Sequence, residues 1–447
     1  MEHGRDLAAA EAALDAHRGV LAYVWGQPMV TLAAIIAGAR DLGIGARELW
    51  IFDQGLQVNQ RLLTGNHEVV YAFAWFDLDR DGPLDIDLPP GPFMGTVLDA
   101  WHRPIVDLGR AGPDRGLGGR YRIVPPGAAV EPAEGVEVRQ SGTFRGLVFL
   151  RAIPRSEAER ADAVDRMSRV RVAAAGATMA PARPCHVLGH HAYDGLPARG
   201  VRFYEQLAGA LAGEPLEVRD REVVGMVQSI GLGLSTPFAP SPELAARLER
   251  SELDGRAMLT ALAEGQRHSY RYPYAGRQWR TFATMTHWSG DDGDITQIDE
   301  RAVLYFQGFG ASRALDPARL PTARAAAAYL VARRDASKRL LSGSTSYRLR
   351  VPLPVPVADY WSITLYDSET RHFVVTDQAR PSIASFRETI VGADGVAEIF
   401  VGPEPIGGGN WIQTPRDRPV FAMFRWFGPT DGFYDGSWQL PDFETLE

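Results

Sequence analysis

The sequence predicts a mixed, mainly β protein in which two sheet domains are bridged by a helical region. Three observations carry this reading. The last hundred or so residues run through "SYRLRVPLPVPVADYWSITLYD", "DGVAEIFVGPEPIGGGNWIQTP", "FAMFRWFGP" and "GSWQLP". These are short apolar/polar alternations closed by Pro, Gly or Asn, the pattern of antiparallel strands buried on one face. A second set of such runs lies between Glu48 and Pro154. Between the two sets, apolar residues recur at the i, i+3, i+4 spacing of helices. A chain of 447 residues exceeds one core, so several domains are expected. We read 1–47 as a helical segment, 48–155 as a β-sandwich, 156–340 as mainly helical and 341–447 as a β-domain.

Element by element, Asp6 to about Gly43 reads as helix. The alanine-rich start continues into "VLAYVWGQPMVTLAAIIAGAR", whose middle Gly26 and Pro28 should break. From Glu48 the strands are "ELWIFDQGL", "EVVYAFAWFDLD", "LDIDLPP", "GTVLDAWHRPIVDLG", "GRYRIVPPG" and "TFRGLVFLRAIP". Aromatic and β-branched residues replace the alanines there, and closely spaced turns suggest a sandwich of roughly a hundred residues. Helices follow in "EAERADAVDRMSRVRVAAA", "VRFYEQLAGALAG", "REVVGMVQSIGLG", "SPELAARLERSELDGRAMLTALAEG" and "LPTARAAAAYLVARRD". In "SPEL", Ser241 caps and Pro242 takes the first helical position. No internal repeat interrupts the series.

Bulk properties narrow the partners. Hydrophobic content of 45% and charged content of 23% suit a globular protein, and the net charge of −8 opposes a nucleic-acid partner. The single cysteine, Cys185, rules out an internal disulfide and a cysteine-rich zinc site. The N-terminus lacks the order of a signal peptide. No stretch reads as the roughly 18–20 apolar residues that span a bilayer. Cytoplasmic residence, no membrane partner and a small-molecule ligand are expected, with assembly as a homo-oligomer left open.

Several segments together resemble two bacterial families known only as domains of unknown function, 1254 followed by 1214. The first is carried by "AYVWGQP" (Tyr23, Trp25, Gly26, Pro28), "NHEVVYAFAWFDLDRDGP" (Asn66, Glu68, Tyr71, Asp77, Pro83), "DAWHRPIVDLGRAG" and "GGRYRIVPPG". The second is carried by the turn at Gly343, "YWSITLYD" (Trp361 to Asp367), "GNWIQTP" (Asn410, Trp411) and "FRWFGP" (Arg425). The resemblance spans nearly the whole chain. It implies an immunoglobulin-like β-sandwich, a helical insert and a C-terminal jelly-roll β-domain, and it brings no established chemistry. In one departure from the first family's pattern, Asn66 is followed by His67 and Glu68, so the acid is one methylene longer than the usual Asp.

In "CHVLGHHAYDG", His186 and His190 would share a helix face and could chelate a metal with His191, although Gly189 and the prolines before it oppose a regular helix. His287 could join such a site, and surface histidines are the plainer reading. Asp291, Asp292 and Asp294 around Gly293 resemble a calcium loop without EF-hand spacing, and a solvated turn explains them as well. "SGSTS" (Ser342 to Ser346) is no nucleophile elbow, and "GFGASRA" (Gly308 to Ala314) lacks a nucleotide fingerprint. No organic cofactor is expected.

The remaining candidates sit in aromatic strand motifs. Glu68, His67 and Tyr71 would be the working acid–base groups. Asn66, Trp25, Arg277, Trp361, Tyr366, Asn410, Trp411 and Arg425 would hold the substrate. Burial beside Tyr71 and Trp75 would tune Glu68. Arg277 belongs to an aromatic segment, Tyr270 to Trp288, that also holds Arg271 and Arg280. The same residues could instead be a hydrogen-bonded core network. Two functional classes stay open. One is a cofactor-independent enzyme (isomerase, cyclase or hydrolase) binding a hydrophobic, optionally carboxylated compound in an interdomain cleft. The other is a non-catalytic protein that binds a ligand or carbohydrate on the same scaffold.

Overall fold

Two β-sandwiches lie side by side with a helical layer against them in the computed structural model. It describes residues 7–176, 185–234, 237–265, 273–282, 291–292, 295–309, 327–387, 389–406 and 409–446. Strand and helix are nearly balanced, at 30% and 29%, so the fold is mixed α and β and not mainly β.

The N-terminal sandwich pairs a six-stranded with a four-stranded sheet. The six run in the order Cys185–Val187, Leu49–Phe52, Val70–Asp77, Arg145–Ala152, Met94–Asp99, Pro104–Gly109. The four run Arg171–Ala174, Leu84–Leu88, Gly119–Val124, Val136–Gln140. The C-terminal sandwich has five strands in the order Trp279–Thr281, Ala327–Ala332, Val420–Pro429, Val357–Asp367, Ser382–Ala384. Opposite lie Asn410–Gln413, Val396–Gly402, Tyr347–Pro352 and Glu444–Thr445.

The central strands are apolar on both faces because both faces are covered. In the Val70 strand, Val70, Ala72, Ala74 and Phe76 enter the sandwich core, while Tyr71, Phe73 and Trp75 point the other way. In the Val420 strand, Ala422, Phe424 and Trp426 fill the second core, while Phe421, Met423 and Phe427 point out of it. The two outward faces meet each other, forming a third apolar layer between the sandwiches.

Helix Leu7–Asp41 runs unbroken for 35 residues with Pro28 inside it, correcting the expected break. Nearly every residue from Ala22 to Ile36 is buried against helices Val201–Leu211, Pro242–Glu264 and Ile298–Gln307, and burial all round outweighs one missing backbone bond. On the same turn, His102 Nδ1 donates to the Pro28 carbonyl at 2.7 Å. This helix is also long and apolar enough to cross a membrane by length and composition, which corrects the sequence reading, although most of that stretch is buried inside the protein.

Two expected helices contain strands. Arg171–Ala174 pairs antiparallel with Leu84–Leu88, and Ala327–Ala332 sits between Trp279–Thr281 and the Val420 strand. Alanine's helix preference amounts to only a few tenths of a kcal/mol per residue over most others, and one ladder at Arg171–Ala174 and two at Ala327–Ala332 override it. The helix Ile298–Gln307 arises from a segment the sequence left unassigned. The Ser241 cap is present, its Oγ accepting from Leu244 N at 3.2 Å with Pro242 following.

Candidate functional site between the two sandwiches

The polar groups of the middle layer come from one strand's period. In "YWSITLYD", Tyr360, Ser362, Thr364 and Tyr366 alternate with Trp361, Ile363 and Leu365, which fill the C-terminal core. Ser362 lies opposite Arg425 in the ladder. Arg425 is 3% exposed; its Nη1 donates to Thr364 Oγ1 at 2.9 Å and its Nη2 to the Tyr366 hydroxyl at 2.5 Å and the Thr64 carbonyl at 3.2 Å. The Tyr366 hydroxyl donates onward to the Gly65 carbonyl at 2.5 Å. Across the layer, half-buried Arg151 donates through Nη1 to the Tyr329 hydroxyl at 3.0 Å. Among the described residues, neither guanidinium has a carboxylate within ion-pair distance.

Burial works against the charge of Arg425, but the Tyr366, Tyr71 and Tyr329 phenols outweigh it and raise its pKa. Burial also raises the Tyr71, Tyr360 and Tyr366 phenols above their ordinary range, with Glu68 adding to the rise at Tyr360. These phenols therefore keep their protons at neutral pH and can donate but not abstract. The hydroxyls of Tyr360 and Ser362 are buried without a hydrogen-bond partner. Around the layer stand the half-buried aromatics Phe149, Phe309, Tyr329 and Phe386.

Glu68 lies at the edge of this layer and is fully buried. Ser382 Oγ donates to its Oε1 at 2.9 Å, and Arg387 Nη2 stands 2.8 Å from its Oε2. Its surroundings are thus an arginine and a serine of the C-terminal sandwich as well as aromatic rings. His67 is buried too, its Nδ1 donating to the Leu56 carbonyl at 2.8 Å, and burial pushes it down to about 4. Asn66 Oδ1 accepts from Glu68 N at 2.8 Å, a local turn. Gly55 makes the close return possible: at φ +71°, an added Cβ would lie 2.0 Å from the His67 carbonyl oxygen.

The structure therefore brings Tyr71, Tyr366 and Arg425 together, with Asn66, His67 and Glu68 beside them. The other expected residues lie elsewhere. Trp361 stacks on Phe424 inside the C-terminal core, ring centroids 5.3 Å apart. Asn410 bonds both backbone groups of Ile390, and Trp411 Nε1 donates to the Gly402 carbonyl. Trp25 donates to Asp220 Oδ1 at 2.8 Å within the helical layer. Arg277 is half-buried in a turn beside Asp442.

His186 sits on a strand beside Leu49–Phe52 and not on a helix, correcting the shared-face geometry, and its Nε2 is 3.0 Å from Glu48 Oε2. His191 bonds the Leu188 carbonyl, and His190 is exposed. No group of three metal-ligating side chains occurs among the described residues. Asp291 and Asp292 form a two-residue strand with Ile295 and Thr296. Gly293, Asp294, His287, Arg271 and residues 310–314 lie outside the described residues.

Sequence reasoning missed Arg151, Tyr329, Tyr360, Ser362, Ser382 and Arg387. For Tyr360 and Ser362 a signal existed, since both share the period-two face of Tyr366. For Tyr329 there was none, because its segment reads as helix.

Comparison with known families then places these elements. The family model described as "Protein of unknown function (DUF1254)" matches residues 48–173, and "Protein of unknown function (DUF1214)" matches residues 326–431. The chain is a DUF1254–DUF1214 protein. All the layer residues named above except Phe309 lie within those two segments. The crystal structure of the VPA0106 protein from Vibrio parahaemolyticus is similar to this DUF1254–DUF1214 chain, with 18% identity, TM-score 0.58, and coverage of 97% of this chain and 100% of that one. An uncharacterized protein from Burkholderia cenocepacia aligns at 12% identity and TM-score 0.41 over 98% of this chain and 95% of its own. No curated protein matches the sequence.

Proposed function

We propose that this protein binds a hydrophobic, carboxylated small molecule between its two sandwiches and performs acid–base chemistry on it without an organic cofactor. One observation carries the reading: Arg151 and Arg425 share an aromatic layer with no carboxylate counter-ion among the described residues. Buried cations are ordinarily paired, and a ligand carboxylate would complete the set. The half-buried Phe149, Phe309, Tyr329 and Phe386 would take the apolar body. Glu68, at the layer's edge, would be the base that takes the substrate's proton, and Tyr71 and Tyr360, which keep their protons, would donate to the oxygen on which charge develops, as isomerisation, cyclisation or hydrolysis through an enolate or oxyanion requires. Glu68 would also hold Ser382 and Arg387 there.

The same reading takes the N-terminal sandwich as immunoglobulin-like and the C-terminal one as a jelly roll. Two facing sheets around one core in each half support this.

Calorimetric titration with benzoate, decanoate and their neutral amides tests the proposal. The acids should bind and the amides should not, and Arg425→Met and Arg151→Met should each weaken the acids about tenfold or more. Equal binding of acids and amides, or unchanged binding in both variants, would sink it. Turnover of a bound acid would separate an enzyme from a plain binding protein.

A further inference from the structure

A second site lies away from the inter-sandwich layer, where the helical layer meets a loop of the C-terminal sandwich. Between helix Leu7–Asp41, helix Pro242–Glu264 and the Thr370–Arg371 loop is a cavity of about 430 Å³. That volume falls within the roughly 300–1,000 Å³ of small-molecule pockets. Arg371 lines it. Its residue is 8% exposed, its guanidinium carbon sits 3.7 Å from the centre of the Phe306 ring, and its Nε has no hydrogen-bond partner.

The loop is built to hold that side chain. Asp367 Oδ1 accepts from Glu369 N, Thr370 N and Thr370 Oγ1, the Arg371 carbonyl accepts from Thr64 N at 2.6 Å, and Arg371 itself has φ +56°. A left-handed non-glycine residue costs of order 1 kcal/mol or more, so the surrounding bonds impose this conformation.

The acids on the cavity wall do not neutralise Arg371. Asp194 is taken by Arg61 at 2.6 Å and Glu252 by Arg256 at 3.2 Å, and neither they nor Asp41 lies within ion-pair distance of Arg371. Burial pulls Arg371 down to about 10, which leaves it cationic at neutral pH. Beside it the Tyr23 phenol, pushed up to about 12 by burial, keeps its proton and can donate.

We infer that this cavity is an anion site, distinct from the inter-sandwich layer, that takes a small polar oxyanion through the Arg371 guanidinium. Phe306 fixes the plane of the fork, and a planar carboxylate matches two of its N–H groups. Tyr23 supplies a further donor. The polar lining suits a compact, water-soluble acid, in contrast to the aromatic layer between the sandwiches.

Calorimetric titration with succinate, succinamide and inorganic phosphate tests this on the full chain, using wild type, Arg371→Met, Arg371→Lys and Arg425→Met. Succinate, phosphate or both should bind wild type and succinamide should not. Arg371→Met should weaken the anion about tenfold or more, Arg371→Lys should fall between, and Arg425→Met should leave it unchanged. Preference for succinate would mark an organic acid, and preference for phosphate a phosphorylated compound. A thermal melt of Arg371→Met checks folding, and its midpoint should hold or rise because an unpaired buried cation is gone. Should that variant not fold, Arg371→Lys and Tyr23→Phe must both weaken the anion. Binding of neither anion, equal binding of succinamide, or full affinity in the Arg371 variants would overturn the inference. Loss of anion binding in Arg425→Met would show that the two sites are one.

Discussion

Phe424 and Arg425 are neighbours in one strand and inhabit different solvents. Phe424 points into the C-terminal core among Trp279, Trp361 and Trp426, a region drawn almost wholly from apolar side chains. Arg425 points into the layer between the sandwiches, among tyrosines, threonine and backbone carbonyls. The Val70 strand repeats the contrast, with small Val70, Ala72 and Ala74 on the core side and Tyr71, Phe73 and Trp75 on the layer side. The difference teaches a division of labour. The two dry cores supply most of the burial, which lets the layer between them carry buried hydroxyls and guanidiniums that stabilise nothing by themselves.

Four measurements would break or sharpen that comparison. Phe424→Ala should cost about 3–5 kcal/mol in urea unfolding, since it removes a fully buried aromatic from a close-packed core. A loss below about 1 kcal/mol would mean the core is not the source of stability.

Counted per residue, acid comes next in size. His67 and His102 are buried, and burial lowers each from 6.5 to about 4 in the folded protein. Above pH 6.5 both states are neutral and the contribution is complete. As pH falls from 6.5 toward 4 the unfolded chain takes up protons that the folded one does not, so stability falls, and below 4 the contribution is gone. Each histidine should account for on the order of 3 kcal/mol across that window. Unfolding free energies at pH 7.5 and 4.5 test this, and a His67→Asn protein with the same acid sensitivity as wild type would remove His67 from the account.

Arg425→Met should cost no more than about 1.5 kcal/mol, because the lost hydrogen bonds are offset by ending the burial of a charge without a carboxylate partner. A cost matching Phe424→Ala would make the layer simply a third core. Smallest is Tyr360→Phe, which deletes a buried hydroxyl without a partner and should change stability by less than about 1 kcal/mol, toward greater stability. A clear destabilisation would show that the hydroxyl is satisfied in solution.

Much of the fold was legible because strand and cap signals are local. The "SPEL" cap, the Val70 strand and the "YWSITLYD" alternation each stand where the sequence puts them. The errors share one cause. "AAYLVA" (Ala327–Ala332) reads as helix by composition and is a strand because two neighbouring strands pair with it. Pro28 reads as a break and is carried through by burial on all sides. At the candidate site, Tyr71, Tyr366 and Arg425 were visible as polar residues in aromatic strands. Arg371 was not, since nothing in "SETRHF" distinguishes it from a surface arginine; only its loop, its Phe306 neighbour and the cavity give it meaning.

By itself the sequence determined which stretches alternate, where most of the chain turns, and which two families it joins, because period and turn chemistry act within a few residues. Only the tertiary structure decided which face of each strand enters a dry core and which meets the other sandwich. It also decided which arginines are left without an acid. Both depend on partners tens to hundreds of residues away, and burial, not sequence spacing, sets the worth of a charge.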